Sequence, residues 1–146
     1  MAATPAPGSG SGTVRVLGVL LVIAGVVLLA AGVATWVTVQ GSLANERITV
    51  ADDAASFAGQ TVDGPLTAFA QAEIIEKHAL DATGGKTYAE LDQDDPARDV
   101  VMTGSFLRAS LFTSVVAFGV AAMAAGLGIV VLLIGLALIS VARQLP

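Results

Sequence analysis

The amino-acid sequence predicts a mainly α-helical membrane protein, in which a two-helix transmembrane hairpin carries a small, mostly helical extracytoplasmic domain. Three observations predict this class. Charged residues make up only 13% of the chain, whereas about 25% is usual in soluble domains. Two long stretches carry no charge, and each exceeds the roughly 20 apolar residues that cross a bilayer. All 12 Asp and Glu residues lie between these two stretches.

The uncharged stretches, residues 16–39 and 109–142, form the main part of the predicted transmembrane helices, at residues 14–39 and 109–142. The first is longer than the apolar region of a signal peptide, which has about 7–15 residues, so we expect an uncleaved anchor. The second is long enough to extend beyond the membrane by two turns or more. Residues 1–13 contain mainly Pro, Gly, Ser and Ala and are predicted to form a disordered cytoplasmic tail. Residues 143–146 form a second, short tail.

The charge distribution predicts the orientation. Segment 40–108 contains five basic and twelve acidic residues, a net charge of −7, while Arg15 and Arg143 flank the opposite ends of the spans. Basic residues favour the cytoplasmic side, and loops longer than about 60 residues cross with little regard to charge. We therefore expect a multi-pass protein of the plasma membrane, with both termini cytoplasmic and residues 40–108 extracytoplasmic.

Four residues are candidate interfacial anchors. Arg15 and Arg143 mark the cytoplasmic ends, and Trp36 marks the outer end of the first span. Arg108 marks the outer start of the second span, where it can reach lipid headgroups or a carboxylate of the outer segment.

The sequence of the outer segment, residues 40–108, predicts three elements of secondary structure. The β-branched run RITV indicates a short strand at 47–50, and DDAASFAG after it one or two helical turns. The best helix begins at Pro65 and ends at the Gly84–Gly85 pair, with Glu73 and Lys77 as an i,i+4 ion pair. A domain of this size buries a marginal core, so we expect it to lean on the membrane, on extensions of the helices or on a partner.

Small residues recur every seven positions in both spans, which predicts a helix-packing seam. In lipid, helices associate by close approach at small residues, and a seven-residue repeat keeps one face towards a partner. The two stripes either face each other in an antiparallel hairpin or face another subunit. Their members are Gly18, Gly25 and Gly32 in the first span and Ser114, Ala121, Gly128, Gly135 and Ala142 in the second.

The stretch DATGGKTYAEL ends like a nucleotide-binding loop, but its context predicts otherwise. A P-loop requires glycine five positions before Gly85, and that position is Leu80. A helix, and no strand, is predicted to precede it. The sequence therefore predicts a helix terminator and a turn, with neither a nucleotide nor a nucleic acid as partner.

No catalytic, cofactor or metal site can be assembled from the remaining motifs. The acidic run 92–99 lacks the residues of an EF-hand loop, because Pro96, Ala97 and Thr103 occupy required positions. His78 is the only histidine and there is no cysteine, whereas catalytic zinc usually needs two or three such ligands. No charged residue lies in the stretches 16–39 and 109–142, which argues against a pump or transporter made of this chain alone.

A resemblance to a known group is carried by ERITVADDAASFAGQTVDGP, QAEIIEKHALDATGGKTYAELD and SFLRASLFTSVVAFGVA. These phrases resemble small actinobacterial two-span membrane proteins that are commonly labelled aromatic ring-opening dioxygenase, LigA type. The resemblance covers about residues 14–142 and implies an actinobacterial plasma-membrane setting. The ring-opening enzymes hold iron with His and carboxylate ligands on a soluble protein, and His78 and the two spans depart from that pattern.

Two functional hypotheses follow. The first is a non-enzymatic membrane protein that presents its acidic extracytoplasmic domain to a partner, as a subunit of an envelope or transport complex. The expected partners are the lipid bilayer and another membrane or envelope protein or a second copy, with no cofactor. The alternative is an enzyme subunit of the aromatic ring-opening dioxygenase type.

Overall fold

A computed structural model describes residues 9–145 of the chain. Its elements are α1 (Ser9–Asn45), α2 (Pro65–Ala82), a single 3-10 turn (Tyr88–Glu90) and α3 (Ala97–Ala142). The protein is mainly helical, and these residues contain no strand.

Helices α1 and α3 are long and apolar enough to cross a membrane. Their most apolar 18-residue windows have mean hydropathies of 2.9 and 2.7, and only 17% and 11% of these windows are buried. The core helix of a soluble protein would be mostly buried, so this exposure of apolar side chains is what a lipid-facing helix shows.

Both long helices begin earlier than the sequence predicts. Helix α1 starts at Ser9, so residues 9–13 of the predicted disordered tail are helical, while residues 1–8 lie outside the described part. Helix α3 starts at Ala97, twelve residues before the predicted boundary at 109. The reason is local: the Asp95 carboxylate accepts a hydrogen bond from the Ala97 N–H at 2.9 Å, which satisfies a free donor of the first turn.

The predicted strand at 47–50 is wrong, because pairing there is limited to one antiparallel bridge, Thr49 with Thr61. The Val50 N–H donates to the Gln60 carbonyl at 2.9 Å, and the Val62 N–H donates to the Ile48 carbonyl at 2.8 Å. The intervening segment turns without forming the helix expected there.

The structure confirms the predicted limits of α2, which begins at Pro65 and stops before Gly84 and Gly85. At its start the Thr67 hydroxyl accepts the N–H of Gly64 at 3.1 Å and that of Asp63 at 3.2 Å. The N–H of the cap residue Gly64 would otherwise lack a partner, since the first turn has no preceding carbonyls.

The chain divides into two compact units. The seam unit comprises Met1–Ala34 and Ala121–Pro146, and the domain unit comprises Thr35–Val120. The domain unit has its own apolar core, in which Val50 and Val62 are almost fully buried beside alanines of α2.

Candidate functional site

The first candidate surface is the seam of the seam unit, where α1 and α3 approach each other by their backbones. A Cβ built on Gly25 would lie 2.6 Å from the backbone nitrogen of Leu132 and 2.7 Å from the carbonyl oxygen of Gly128. A Cβ built on Gly128 would lie 2.5 Å from the backbone nitrogen of Leu29. Real Cβ atoms essentially never come closer than 3.0 Å to such atoms, so both positions require glycine.

The other predicted seam residues repeat this arrangement. A Cβ on Gly18 would lie 2.9 Å from the Gly135 carbonyl oxygen, and one on Gly32 would lie 2.6 Å from that of Ala121. The structure thus places the glycines of α1 against the small residues of α3 within one chain. Of the two remaining members of the stripe, Ala142 is buried in the seam unit, whereas Ser114 lies in the domain unit.

Trp36, predicted as an interfacial anchor, is half-buried and makes a ring contact within the domain unit. Its ring meets the Phe118 ring edge to face, with 4.7 Å between the centroids. Phe118 is 1% exposed, whereas Arg15 and Arg143, the two predicted cytoplasmic anchors, are exposed. The sequence singled out Trp36 but gave no signal for its aromatic partner.

Arg108, the fourth predicted anchor, is held by side chains of the domain unit. Its Nη2 lies 2.7 Å from the Glu76 carboxylate, and its guanidinium lies over the Phe112 ring at 5.2 Å from the centroid. Its Nε is buried and has no hydrogen-bond partner among the described residues. Of the two contacts predicted for Arg108, a headgroup or an outer-segment carboxylate, the structure shows the carboxylate.

The loop that follows α1 is fastened to α2 by polar contacts. Asp53 accepts a hydrogen bond from His78 at 2.8 Å and pairs with Lys77 at 3.5 Å. The hydrogen bond from His78 is the main cause that lowers the pKa of Asp53 below its ordinary value. The predicted pairing of Lys77 with Glu73 is absent from the described ion pairs, because Lys77 turns to the loop.

The GGKT stretch ends α2 and confirms the predicted terminator. Gly84 and Gly85 have φ values of 64° and 88°, in the left-handed region that favours glycine. The Gly85 N–H donates to the Leu80 carbonyl at 2.8 Å and the Gly84 N–H to that of Asp81 at 3.4 Å. These two hydrogen bonds satisfy carbonyl groups that the end of the helix leaves free.

Thr87, after the terminator, starts the 3-10 turn. Its N–H and its hydroxyl both donate to the Glu90 carboxylate at 2.8 Å. The backbone hydrogen bond from Thr87 is the main cause that lowers the pKa of Glu90. The threonine of GGKT therefore caps a local turn.

The second candidate surface is a groove of about 590 Å³ in the domain unit, which sequence reasoning did not find. Its volume falls within the range of about 300–1,000 Å³ that is typical of small-molecule sites. Helix α1 forms one wall, α3 forms the other, and α2 closes one end. The lining residues are Thr38, Val39, Ser42, Leu43, Glu46, Ile48, Gln71, Ile75, Leu107, Ser110, Leu111, Thr113, Ser114 and Ala117.

The polar groups of the groove are partly satisfied by the protein. Thr113 and Ser114 donate to carbonyls one turn earlier in α3, at 2.8 and 3.3 Å. The side-chain amide oxygen (Oε1) of Gln71 accepts the Ala51 N–H at 3.0 Å. Among the described residues, the hydroxyls of Ser42 and Ser110 make no hydrogen bond. The groove can therefore offer an apolar floor and a few free polar groups to a ligand.

Within residues 9–145, no group of three His, Cys, Asp or Glu side chains lies close enough together to hold a metal ion. Comparisons of the chain with known protein families, with curated proteins and with solved structures gave no match.

Proposed function

We propose that this chain is a non-enzymatic two-pass protein of the plasma membrane that presents an acidic extracytoplasmic domain to a basic segment of another envelope or membrane protein. It would act there as an anchoring subunit of an envelope or transport complex. The observation that carries the proposal is a separation of roles between the two units. The seam unit packs by uncharged backbone contacts, whereas every acidic residue belongs to the domain unit.

Helix length supports the proposed placement. Arg15 would mark the cytoplasmic boundary on α1, and about 20 helical residues cross the hydrocarbon. The outer boundary then falls near Trp36, whose residue type is enriched at membrane interfaces. The helical residues after Trp36 belong to the domain unit.

The acidic surface of the domain unit is largely open. Of its twelve carboxylates, only those of Asp53 and Glu76 make ion pairs among the described residues. Asp92 and Asp94 are exposed in the turn before α3. A field of one sign attracts and orients a partner of the opposite sign, so a basic segment is the partner chemistry that this surface fits.

The test is cross-linking in living cells followed by mass spectrometry, with wild type compared with Asp92→Asn/Asp94→Asn. We expect one recurrent partner, cross-linked through a basic segment, and a drop of about tenfold in yield when the two charges are removed. The Asp92→Glu/Asp94→Glu variant keeps the charge and should keep the partner. Recovery of a chain without any cross-linked protein, or a yield indifferent to both pairs of substitutions, would overturn the proposal.

Two further measurements address the proposed setting. A reporter fused after Asp81 should be active outside the cytoplasm, and activity only inside would reverse the orientation. The alternative of a ring-opening dioxygenase subunit requires bound iron. Elemental analysis of the purified protein therefore distinguishes this enzyme from the proposed non-enzymatic membrane protein. Iron at one equivalent per chain would favour the enzyme.

A further inference from the structure

We infer that the first turns of α2 lie on the outer surface of the phospholipid bilayer, where Leu66 and Phe69 form a membrane contact in addition to the two spans. The inference rests on the membrane placement in the proposed function. It adds to that function a surface that binds lipid headgroups, and it uses none of the acidic residues of the turn before α3.

The exposed face of α2 changes from apolar to charged along its length. Its exposed residues follow one another at spacings of three or four, which place them on one side of the helix: Leu66, Phe69, Glu73 and Lys77. Leu66 is 65% exposed and Phe69 is 41% exposed. The start of this face is therefore suited to lipid, and the remainder is suited to water.

Helix α3 carries the same order of side chains. Four positions spaced by four residues run from charged to apolar in the direction of the predicted span: Arg108, Phe112, Val116 and Val120. The two valines are exposed by more than half. Because α3 continues without a break to Ala142, this apolar stripe leads into the stretch that is proposed to cross the membrane.

Two contacts join the faces of α2 and α3 and align their polarity. The Phe69 ring meets the Phe112 ring edge to face, with 5.7 Å between the centroids. Two turns farther along α2, the Glu76 carboxylate lies 2.7 Å from Nη2 of Arg108. The two helices therefore run antiparallel, so the start of α2 points towards the proposed membrane. The aromatic pair lies on the membrane side and the ion pair on the water side.

The depth of the contact matches the headgroup layer. The proposed outer boundary of the hydrocarbon lies near Trp36, whose ring meets that of Phe118. Phe112 precedes Phe118 by six residues, or about 9 Å along α3. Phe69 lies beside Phe112, and Leu66 is about 5 Å closer to the membrane. Headgroups add roughly 5–8 Å to each side of the hydrocarbon, so Leu66 falls within this layer and Phe69 at its upper limit.

Continuity makes lipid the occupant of this face. Val120 lies just inside the proposed boundary, and the stripe from it to Phe112 reaches Phe69 without a charged side chain. An apolar patch rimmed by polar residues marks a site of interaction, and the bilayer already lies at one edge of this patch. Asp63, exposed directly before α2, carries a charge that the hydrated headgroup layer can solvate.

The absence of cysteine from the sequence allows one spin label per chain. The full chain carrying Leu66→Cys, Glu73→Cys or Val120→Cys is labelled with a nitroxide and reconstituted in vesicles of phosphatidylcholine and phosphatidylglycerol. Paramagnetic resonance then compares collisions with oxygen, which partitions into lipid, and with a water-soluble nickel chelate. We expect positions 66 and 120 to favour oxygen and position 73 to favour the chelate. Position 73 is the matched control, exposed on the same face about 10 Å farther along α2.

The outcomes separate this inference from the proposed function. If position 66 behaves like position 73 while position 120 favours oxygen, the inference fails and the membrane placement stands. If position 120 favours the chelate, the placement fails and the inference with it. Few collisions with either reagent at position 66 would mean that a protein covers it, which also overturns the inference. Circular dichroism of each labelled chain verifies that the helices are retained.

Discussion

The seam unit and the domain unit hold together by opposite means. In the seam unit, Gly25 and Gly128 let two backbones touch, and the large side chains point outwards. In the domain unit, side chains such as Phe118 and Val62 fill the interior. This difference in packing is explained by the solvent, because each kind of packing is stable in a different one. Lipid gives apolar bulk no preference for the interior, so closeness decides, whereas water drives apolar side chains together.

The largest effect is expected from truncating a side chain in the domain unit. Ile74→Ala should lower the free energy of unfolding by about 2–5 kcal/mol, because it leaves a cavity in a packed core. Thermal unfolding in detergent measures this. The control is Leu66→Ala on the same helix, where the side chain is 65% exposed and the change should stay within about 0.5 kcal/mol. Equal effects at both positions would show that burial of side chains does not stabilise the domain unit.

The seam should respond to the opposite change, the addition of one methyl group. Gly128→Ala places a Cβ against the Leu29 backbone, which cannot move aside cheaply, and should destabilise the protein by about 1–3 kcal/mol. Gly126→Ala on the same helix meets no atom within 4 Å, and higher helix propensity should leave stability unchanged or raised by up to about 1 kcal/mol. Thermal unfolding followed by circular dichroism compares them. Two variants of equal stability would show that the seam tolerates side chains.

The smallest effect concerns the polar contacts that join the loop after α1 to α2 in the domain unit. Asp53 has a lowered pKa, so its contribution to stability is present above its ordinary value of 3.8 and is lost as the pH falls through the lower folded value. His78→Ala should raise the pKa of Asp53 towards the ordinary value, as followed by carboxyl NMR titration. His78→Gln can still donate a hydrogen bond and should raise the pKa less. An unchanged pKa in both variants would show that the loop is held by other contacts.

Local features could be predicted from the sequence because their causes are local. The limits of α2 follow from Pro65 and from glycines that adopt positive φ. The two membrane-length helices follow from composition. The seven-residue series of glycines is visible in the sequence because close approach requires one residue type at a fixed spacing.

Features that depend on distant residues could not be predicted in the same way. Lys77 has a suitable neighbour in Glu73, yet the loop brings Asp53 to it from 24 positions away. The run at 47–50 has strand propensity, but its pairing ends after Thr49 meets Thr61. The groove is set by the separation of α1 and α3 and the position of α2, and none of these leaves a periodic pattern in the sequence.

The contact between Trp36 and Phe118 has a spectroscopic consequence. Trp36 is the only tryptophan of the chain, and its indole lies against a ring of the domain unit. Intrinsic emission excited at the indole band therefore reports on that unit, without any introduced label. Circular dichroism, by contrast, is dominated by α1 and α3. Recording both signals during one unfolding experiment would separate loss of the aromatic contact in the domain unit from loss of helix in the two units together.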